Sequence, residues 1–279
     1  MKMSKKIITR FAPTPSGFLH MGNVWNLLIA EQLARGEDGA LWLRIDDLDR
    51  ARYRRAYAED VFRVASWLGV SFDGGPRNVR DFETNWSQAR RMNRYREALG
   101  VLAASGHLFA CTCSRRDIAT ESVNGGYPGT CRDAGIPLDA PRAAWRFRLD
   151  AGPHTGYPAA HADPVVRRRD GSPAYHVATI VDDVDMGMTH VVRGRDLEAS
   201  THVQHALASA MGGAFSRFCQ ITFLHHDLLL APGGTKLSKS AGAGGESLLE
   251  SGRLSAADVR QRFDAWRSTH GPITGSPHS

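Results

Sequence analysis

Two short polar stretches, more than two hundred residues apart, hold the groups best suited to phosphate chemistry. The first runs Pro13-Thr14-Pro15-Ser16-Gly17-Phe18-Leu19-His20-Met21-Gly22-Asn23. The second is Thr235-Lys236-Leu237-Ser238-Lys239-Ser240, preceded by Gly233-Gly234. His20 and Gly22 fall where a helix-like run begins, and backbone N–H groups with the helix dipole favour an anion there. Lys236 and Lys239, three apart on a glycine-flanked loop, can close over a triphosphate and neutralise charge that grows in a transition state. Taken singly, the first is also an ordinary helix cap and the second an ordinary solvated loop. Attack on an α-phosphate places negative charge on phosphorus and on the departing pyrophosphate, and positioned donors and cations must stabilise it together. The pair in this order therefore reads as a nucleotide-activating site.

A third constellation is Cys111-Thr112-Cys113, followed by Tyr127-Pro128-Gly129-Thr130-Cys131. Three thiolates hold zinc tetrahedrally once a fourth ligand is found, and Tyr127, His107 and water are the candidates. The alternative is three reduced thiols without metal. Cys219 stands among apolar residues and reads as core. Arg44-Ile45-Asp46-Asp47-Leu48-Asp49 places acids at the end of an expected strand, where one of them can hold a substrate ammonium. Arg193, in Val192-Arg193-Gly194, also ends an expected strand and can grip a carboxylate bidentately. Tyr175 opens a run expected to be a buried strand and is placed to line the same pocket.

These groups need a frame. Ile7 to Phe11 is β-prone, a helix is expected from about Gly22 to Arg35, and Leu41 to Ile45 reads as a second strand. Strand, loop, helix and strand make a βαβ unit, hence a parallel sheet with a nucleotide site at its carboxyl ends. Helices are expected near 55–69 and 88–105. Residues 111–164 are irregular apart from a strand at Trp145 to Leu149. Ala174 to Val181 is an apolar run consistent with a buried strand. His190 to Arg193 is a further strand, Ser200 to Met211 a helix, and Cys219 to Phe223 the last strand before the lysine loop. The fold class is α/β: a Rossmann-type parallel sheet with an inserted, zinc-containing α/β subdomain. Residues 1–75 and 166–245 form the core, 76–165 the insertion, and 246–279 a short, partly mobile C-terminal segment with a helix near 255–266.

At 279 residues and 42% hydrophobic content the chain has material for a sizeable core. No apolar run reaches the ~18 residues of a membrane span. The basic N-terminus lacks the apolar stretch of a secretory signal. Four cysteines, three of them clustered, point to metal in a reducing, cytoplasmic setting rather than to disulfides. The net charge of +6 is compatible with a polyanionic partner. Arg52, Arg54 and Arg55, Arg90, Arg91, Arg94 and Arg96, and Arg167, Arg168 and Arg169 are the basic runs. Each is either a phosphate-tracking stripe or a solvated face.

Arg10-Phe11-Ala12-Pro13-Thr14-Pro15-Ser16-Gly17, Arg44-Ile45-Asp46-Asp47, Val192-Arg193-Gly194-Arg195-Asp196-Leu197 and the Lys-Leu-Ser-Lys-Ser loop together resemble the class I glutamyl-tRNA synthetase family. The short length and the Cys-Thr-Cys and Tyr-x-x-x-Cys pattern are most similar to its glutamyl-queuosine tRNA(Asp) synthetase branch, which has no anticodon-binding domain. The resemblance covers about residues 7 to 242. It implies that Arg10, Phe11, Ala12, Pro13, Thr14, Asp46, Tyr175 and Arg193 bind L-glutamate. It implies that His20, Gly22, Asn23 and Lys239 bind ATP with Mg2+, and that His20, Asn23, Lys236 and Lys239 serve catalysis. Zinc would sit on Cys111, Cys113, Tyr127 and Cys131. The implied reaction forms glutamyl-adenylate and transfers glutamate to queuosine in the anticodon stem-loop of tRNA(Asp). A cytoplasmic monomer without membrane contact is expected. The rival readings are a ligase with another acceptor, a tRNA 3′ end or a small amine, and an inactive RNA-binding paralogue. The chain departs from the family at Asn23, which replaces the second histidine of the early motif. It departs again at Asp46, one methylene shorter than the family's glutamate, and at His176, where asparagine is common.

Overall fold

The computed structural model describes residues 6–122, 126–150, 162–227, 247–250 and 254–270. In chain order the first half carries β1 (Ile8–Phe11), α1 (Met21–Gly36), β2 (Ala40–Leu43), α2 (Arg55–Trp67), a single turn α3 (Val79–Asp81), α4 (Met92–Ala104), β3 (Leu108–Cys111) and α5 (Arg115–Glu121). The second half carries β4 (Ala144–Phe147), β5 (Val165–Arg167), α6 (Tyr175–Asp185), β6 (His190–Gly194), α7 (Glu198–Met211), β7 (Thr222–His226) and α8 (Ala256–His270). They divide into two compact units, residues 1–90 with 188–196 and 221–279, and residues 91–187 with 197–220.

In the first unit β1 and β2 pair in parallel, with Ile8 opposite Ala40 and Phe11 opposite Leu43. A parallel pair requires a crossover, and α1 supplies it. Seven of its residues, Val24, Trp25, Leu27, Leu28, Ile29, Ala30 and Ala34, are buried, so the helix is held by the core on most sides. β6 and β7 form a second parallel pair, His190 opposite Thr222 and Gly194 opposite His226. β6 lies along β1: Thr189 N donates to the Ile8 carbonyl at 2.9 Å where both begin, and Arg10 Nη1 reaches the Val192 carbonyl at 3.5 Å near their ends. The strands thus run in the order β2, β1, β6, β7. The chain leaves β1 toward β2 on one side while β6 and β7 extend on the other, so a topological switch point lies between β1 and β6. Ligands of open parallel sheets bind at such a point, beyond the strands' carboxyl ends. α8 joins this unit through a T-shaped contact of Trp25 with Phe263, and Arg260 Nη2 donates to the Leu68 carbonyl at the end of α2 at 2.6 Å.

The second unit pairs β3, β4 and β5 in an antiparallel sheet; α4, α6 and α7 pack on one another, and α6 meets β5. Here one expectation fails. Ala174 to Val181 is not a strand; Tyr175–Asp185 is an α-helix. A short buried apolar run cannot distinguish the two periods by itself. Tertiary polar contacts decide it. Asp182 and Asp185, three residues apart and so on one helix face, both meet α4. Tyr95 Oη donates to Asp182 at 2.9 Å and Arg91 Nε at 2.7 Å, while Arg91 and Arg94 hold Asp185 at 2.8 and 3.0 Å. The same contacts answer for part of the second basic run: Arg91 and Arg94 are ion-paired inside this unit, whereas Arg90 and Arg96 are exposed. Two further expectations are corrected. The last strand is Thr222–His226, preceded by a 3-10 segment over Gly213–Gln220, and Cys219 in that segment is exposed rather than core. α5 falls in the stretch 111–164 expected to be irregular apart from one strand, and β3 ends where that stretch begins.

Candidate active site

The early motif is built as a helix cap. His20 is extended at the N-cap of α1, and its Nδ1 accepts from Gly22 N at 3.1 Å. Asn23 Oδ1 returns the bond by accepting from His20 N at 3.1 Å. This reciprocal box satisfies two donors of the first turn. With Nδ1 accepting, the proton of the neutral ring sits on Nε2, the atom suited to donate to a phosphate. Asn23 thus shapes the turn by its side-chain carbonyl. Asp60 of α2, fully buried, accepts from Leu19 N at 2.8 Å and from Ser247 Oγ, so it ties the turn before His20 to the chain that follows the lysine loop.

The carboxyl ends of β1 and β2 are drawn together by Arg44 N donating to the Phe11 carbonyl and Asp46 N to the Pro13 carbonyl, each at 2.9 Å. Asp46 is buried and paired with Arg44, whose Nε donates to Oδ1 at 2.7 Å and Nη2 to Oδ2 at 3.3 Å. Arg10 and Arg193 are also buried, the latter with its guanidinium 4.9 Å from the centroid of the Phe223 ring. Phe11 lies in the core, so only its backbone faces this edge, and Thr14 is exposed. Arg10, His20, Gly22, Asn23, Asp46 and Arg193 therefore belong to one unit and gather about its switch point. Tyr175 belongs to the other unit. It opens α6 rather than a strand, and it is 37% exposed. Lys236 and Lys239, with the rest of their loop, lie outside the described residues.

Cys111 ends β3, Cys113 follows it, and the turn at Tyr127 and Cys131 returns to them. Cys113 Sγ lies 3.4 Å from Cys131 Sγ, and the three sulfurs lie within 4.8 Å of one another. A tetrahedral zinc with bonds of ~2.3 Å sets its sulfurs ~3.8 Å apart, so the donor set fits that ion. Tyr127 Oη accepts from Cys131 N at 2.8 Å, which places the phenol oxygen at the cluster. Burial, then hydrogen bonding to Cys131, pushes the Cys113 thiol up to about 12. Burial acts the same way on Cys131, but a backbone hydrogen bond from Thr112 and bonds from Cys113 and Tyr127 outweigh it and lower that thiol to about 7. The Tyr127 hydroxyl is raised, first by burial. Arg146 stacks on its ring, 3.7 Å from the centroid.

A family model described as tRNA synthetases class I (E and Q), catalytic domain, matches residues 6–125 and 156–248. The chain belongs to this family. As a class I synthetase-family member it is an aminoacyl-tRNA synthetase-like ligase with the α/β fold expected above. It is similar to the glutamyl-Q tRNA(Asp) synthetase of Symbiobacterium thermophilum, 40% identical over 258 residues that cover 84% of this chain and 78% of the relative. The relative of the same name in Rhodobacter capsulatus is 33% identical, with 91% and 99% covered. Among solved structures, a glutamate tRNA ligase of Elizabethkingia meningosepticum in complex with its amino acid superposes with a TM-score of 0.68 at 26% identity, covering 86% of this chain. The chain spans 53% of that structure's length. No helix among the described residues is long and apolar enough to cross a membrane.

Three residues at these helix and strand ends escaped the motif reading: Asp60, Asn26 and His226, whose Nε2 lies 3.4 Å from Asn26 Nδ2. Asp60 and His226 resemble any acid of an amphipathic helix and any strand histidine. Asn26 carried a faint signal, a polar side chain in the apolar run Val24 to Ile29.

Proposed function

We propose that the chain joins L-glutamate to AMP at the expense of ATP and passes the glutamyl group to queuosine in the anticodon of tRNA(Asp). The observation that carries this is the convergence of Arg10, Asp46, Arg193 and the His20 cap on one switch point, in a chain whose relatives are glutamyl-Q tRNA(Asp) synthetases. A glutamate carboxylate oxygen attacks the α-phosphorus, and the bond to the bridging oxygen of pyrophosphate breaks. A nucleophile of queuosine then attacks the activated carbonyl and releases AMP. Arg10 and Arg193 orient carboxylates, and Asp46 receives the α-ammonium. His20 and the first-turn N–H groups of α1 meet the phosphates. Lys236 and Lys239 stabilise the charge that moves to pyrophosphate, with Mg2+ as the nucleotide's counterion.

Zinc would be held by Cys111, Cys113, Cys131 and Tyr127. Four protein ligands leave no open position, so its part there is to staple the turn to β3. The exposed arginines supply salt-dependent affinity for tRNA. The test is glutamate-dependent ATP–pyrophosphate exchange, followed by transfer of labelled glutamate to tRNA(Asp) with and without queuosine. We expect exchange without tRNA, transfer only to the queuosine form, and a loss of turnover worth ~2–4 kcal/mol in Lys239→Ala. Exchange without transfer to queuosine assigns another acceptor. No exchange with any amino acid leaves an RNA-binding paralogue.

A further inference from the structure

Asn26 lies on α1 among buried apolar neighbours, and its amide points at the strand ends. Nδ2 donates to the Val192 carbonyl at 3.2 Å and lies 3.4 Å from His226 Nε2. The Val192 carbonyl is the one Arg10 reaches, and Arg193 is the next residue. His226 ends β7 and is 5% exposed; its Nδ1 lies 2.9 Å from the Asp227 carbonyl. A carbonyl only accepts, so Nδ1 carries the proton and Nε2 offers a lone pair. An amide NH2 only donates, so the demand from Asn26 is the same. Both neighbours are satisfied by a single form of the ring, the neutral Nδ1–H tautomer.

We propose that Asn26 and His226 are positioning residues for the ligase reaction, tying the helix that begins at His20 to the ends of β6 and β7 across the switch point. The tie keeps His20 in register with Arg10 and Arg193, and so rests on the reading of those three as substrate groups. It also fixes the last strand residue before the segment that holds Lys236 and Lys239. The charged groups around the ring are Asp227 beside it and Asp196 after β6; α1 contributes the neutral Asn26. Burial favours the neutral ring, the Asp227 carbonyl and the two acids oppose it, and the net direction is downward. A proton on Nε2 would set N–H against N–H and open the tie.

Four measurements on the full chain test this. Nitrogen-15 NMR of the imidazoles at pH 8 is expected to find His226 as the Nδ1–H tautomer, and to find that preference weakened in Asn26→Ala. Pyrophosphate exchange is expected to lose about ten- to a hundredfold in turnover in Asn26→Ala and His226→Ala, with the Michaelis constant for ATP moving less. His226→Gln, which keeps an acceptor near the position of Nε2 but does not titrate, is expected to restore turnover relative to His226→Ala. It should also lack the decline in turnover expected of the parent chain below the ordinary imidazole value of ~6.5. Should the alanine variants fail to fold, the parent tautomer and the glutamine pH profile still decide. An Nε2–H tautomer in the parent chain, an unchanged acid decline in His226→Gln, or full turnover in both alanine variants overturns the proposal. Absence of exchange in the parent chain would instead remove the proposed function, while the tautomer measurement would still test the tie.

Discussion

Asp46 and Asp47 are adjacent, both buried, and held in different ways. Asp47 is saturated by structure: Ser87 Oγ donates to it at 2.6 Å, Gln88 N at 2.8 Å, and Arg50 closes on it as well. Among the described residues Asp46 pairs with one side chain, Arg44, and its N–H donates to the Pro13 carbonyl. Strand alternation does not explain the division, because β2 ends at Leu43. Partner count does. Asp46→Asn is therefore expected to raise the Michaelis constant for glutamate, by ~1.5–3 kcal/mol in binding if its carboxylate meets the ammonium. Asp47→Asn is expected to lower the melting temperature instead, through loss of ~1–3 kcal/mol of buried hydrogen bonding. Glutamate titrations and thermal melts of the two variants separate the roles. The reverse pattern would move the ammonium site to Asp47.

At the scale of elements, the motifs rest on caps and cross-ties more than on propensity. α6 is the clearest case. Its β-branched residues argue for a strand, and the Asp182 and Asp185 contacts to α4 make it a helix. Asp182→Ala should destabilise the second unit by about 3–5 kcal/mol, since it leaves the half-buried Arg91 and the buried Tyr95 hydroxyl without their shared carboxylate. Chemical denaturation would measure it, and a change within error would reduce the network to surface chemistry. The thiol cluster ties β3 to the turn at Cys131 in a similar way. Protein purified without added metal is expected to contain one zinc per chain. Cys113→Ser should release it and speed proteolysis between Cys111 and Cys131; zero zinc with an equally resistant parent chain would mark the trio as ordinary reduced thiols.

For the whole molecule, pH sets a limit on stability that the first unit imposes. His190 and His226 both have lowered pKa values, in each case first because burial penalises the charged ring. The unfolded chain then binds protons on these rings near pH ~6.5, before the folded chain does. Their contribution is complete above that value and is lost as pH falls through the lower folded values. Melting temperature is expected to decline from pH 7.5 toward pH 5, and the decline should be smaller in His226→Gln. A flat profile would show that neither ring is held neutral by the fold. How much of this could be read beforehand follows from where the information lies. Motif identity, the βαβ start, the cap at His20, the clustering of Cys111, Cys113 and Cys131, and the family itself are local or ordered along the chain, and the sequence alone determined them. The helical state of Tyr175–Asp185, the exposure of Cys219, the pairing of Arg91 and Arg94 with acids of α6, the anchoring of Asp47 and the Asn26–His226 tie were decided only by tertiary structure. Each depends on partners between 14 and 200 residues away, and neither periodicity nor propensity carries a term for a neighbour that distant.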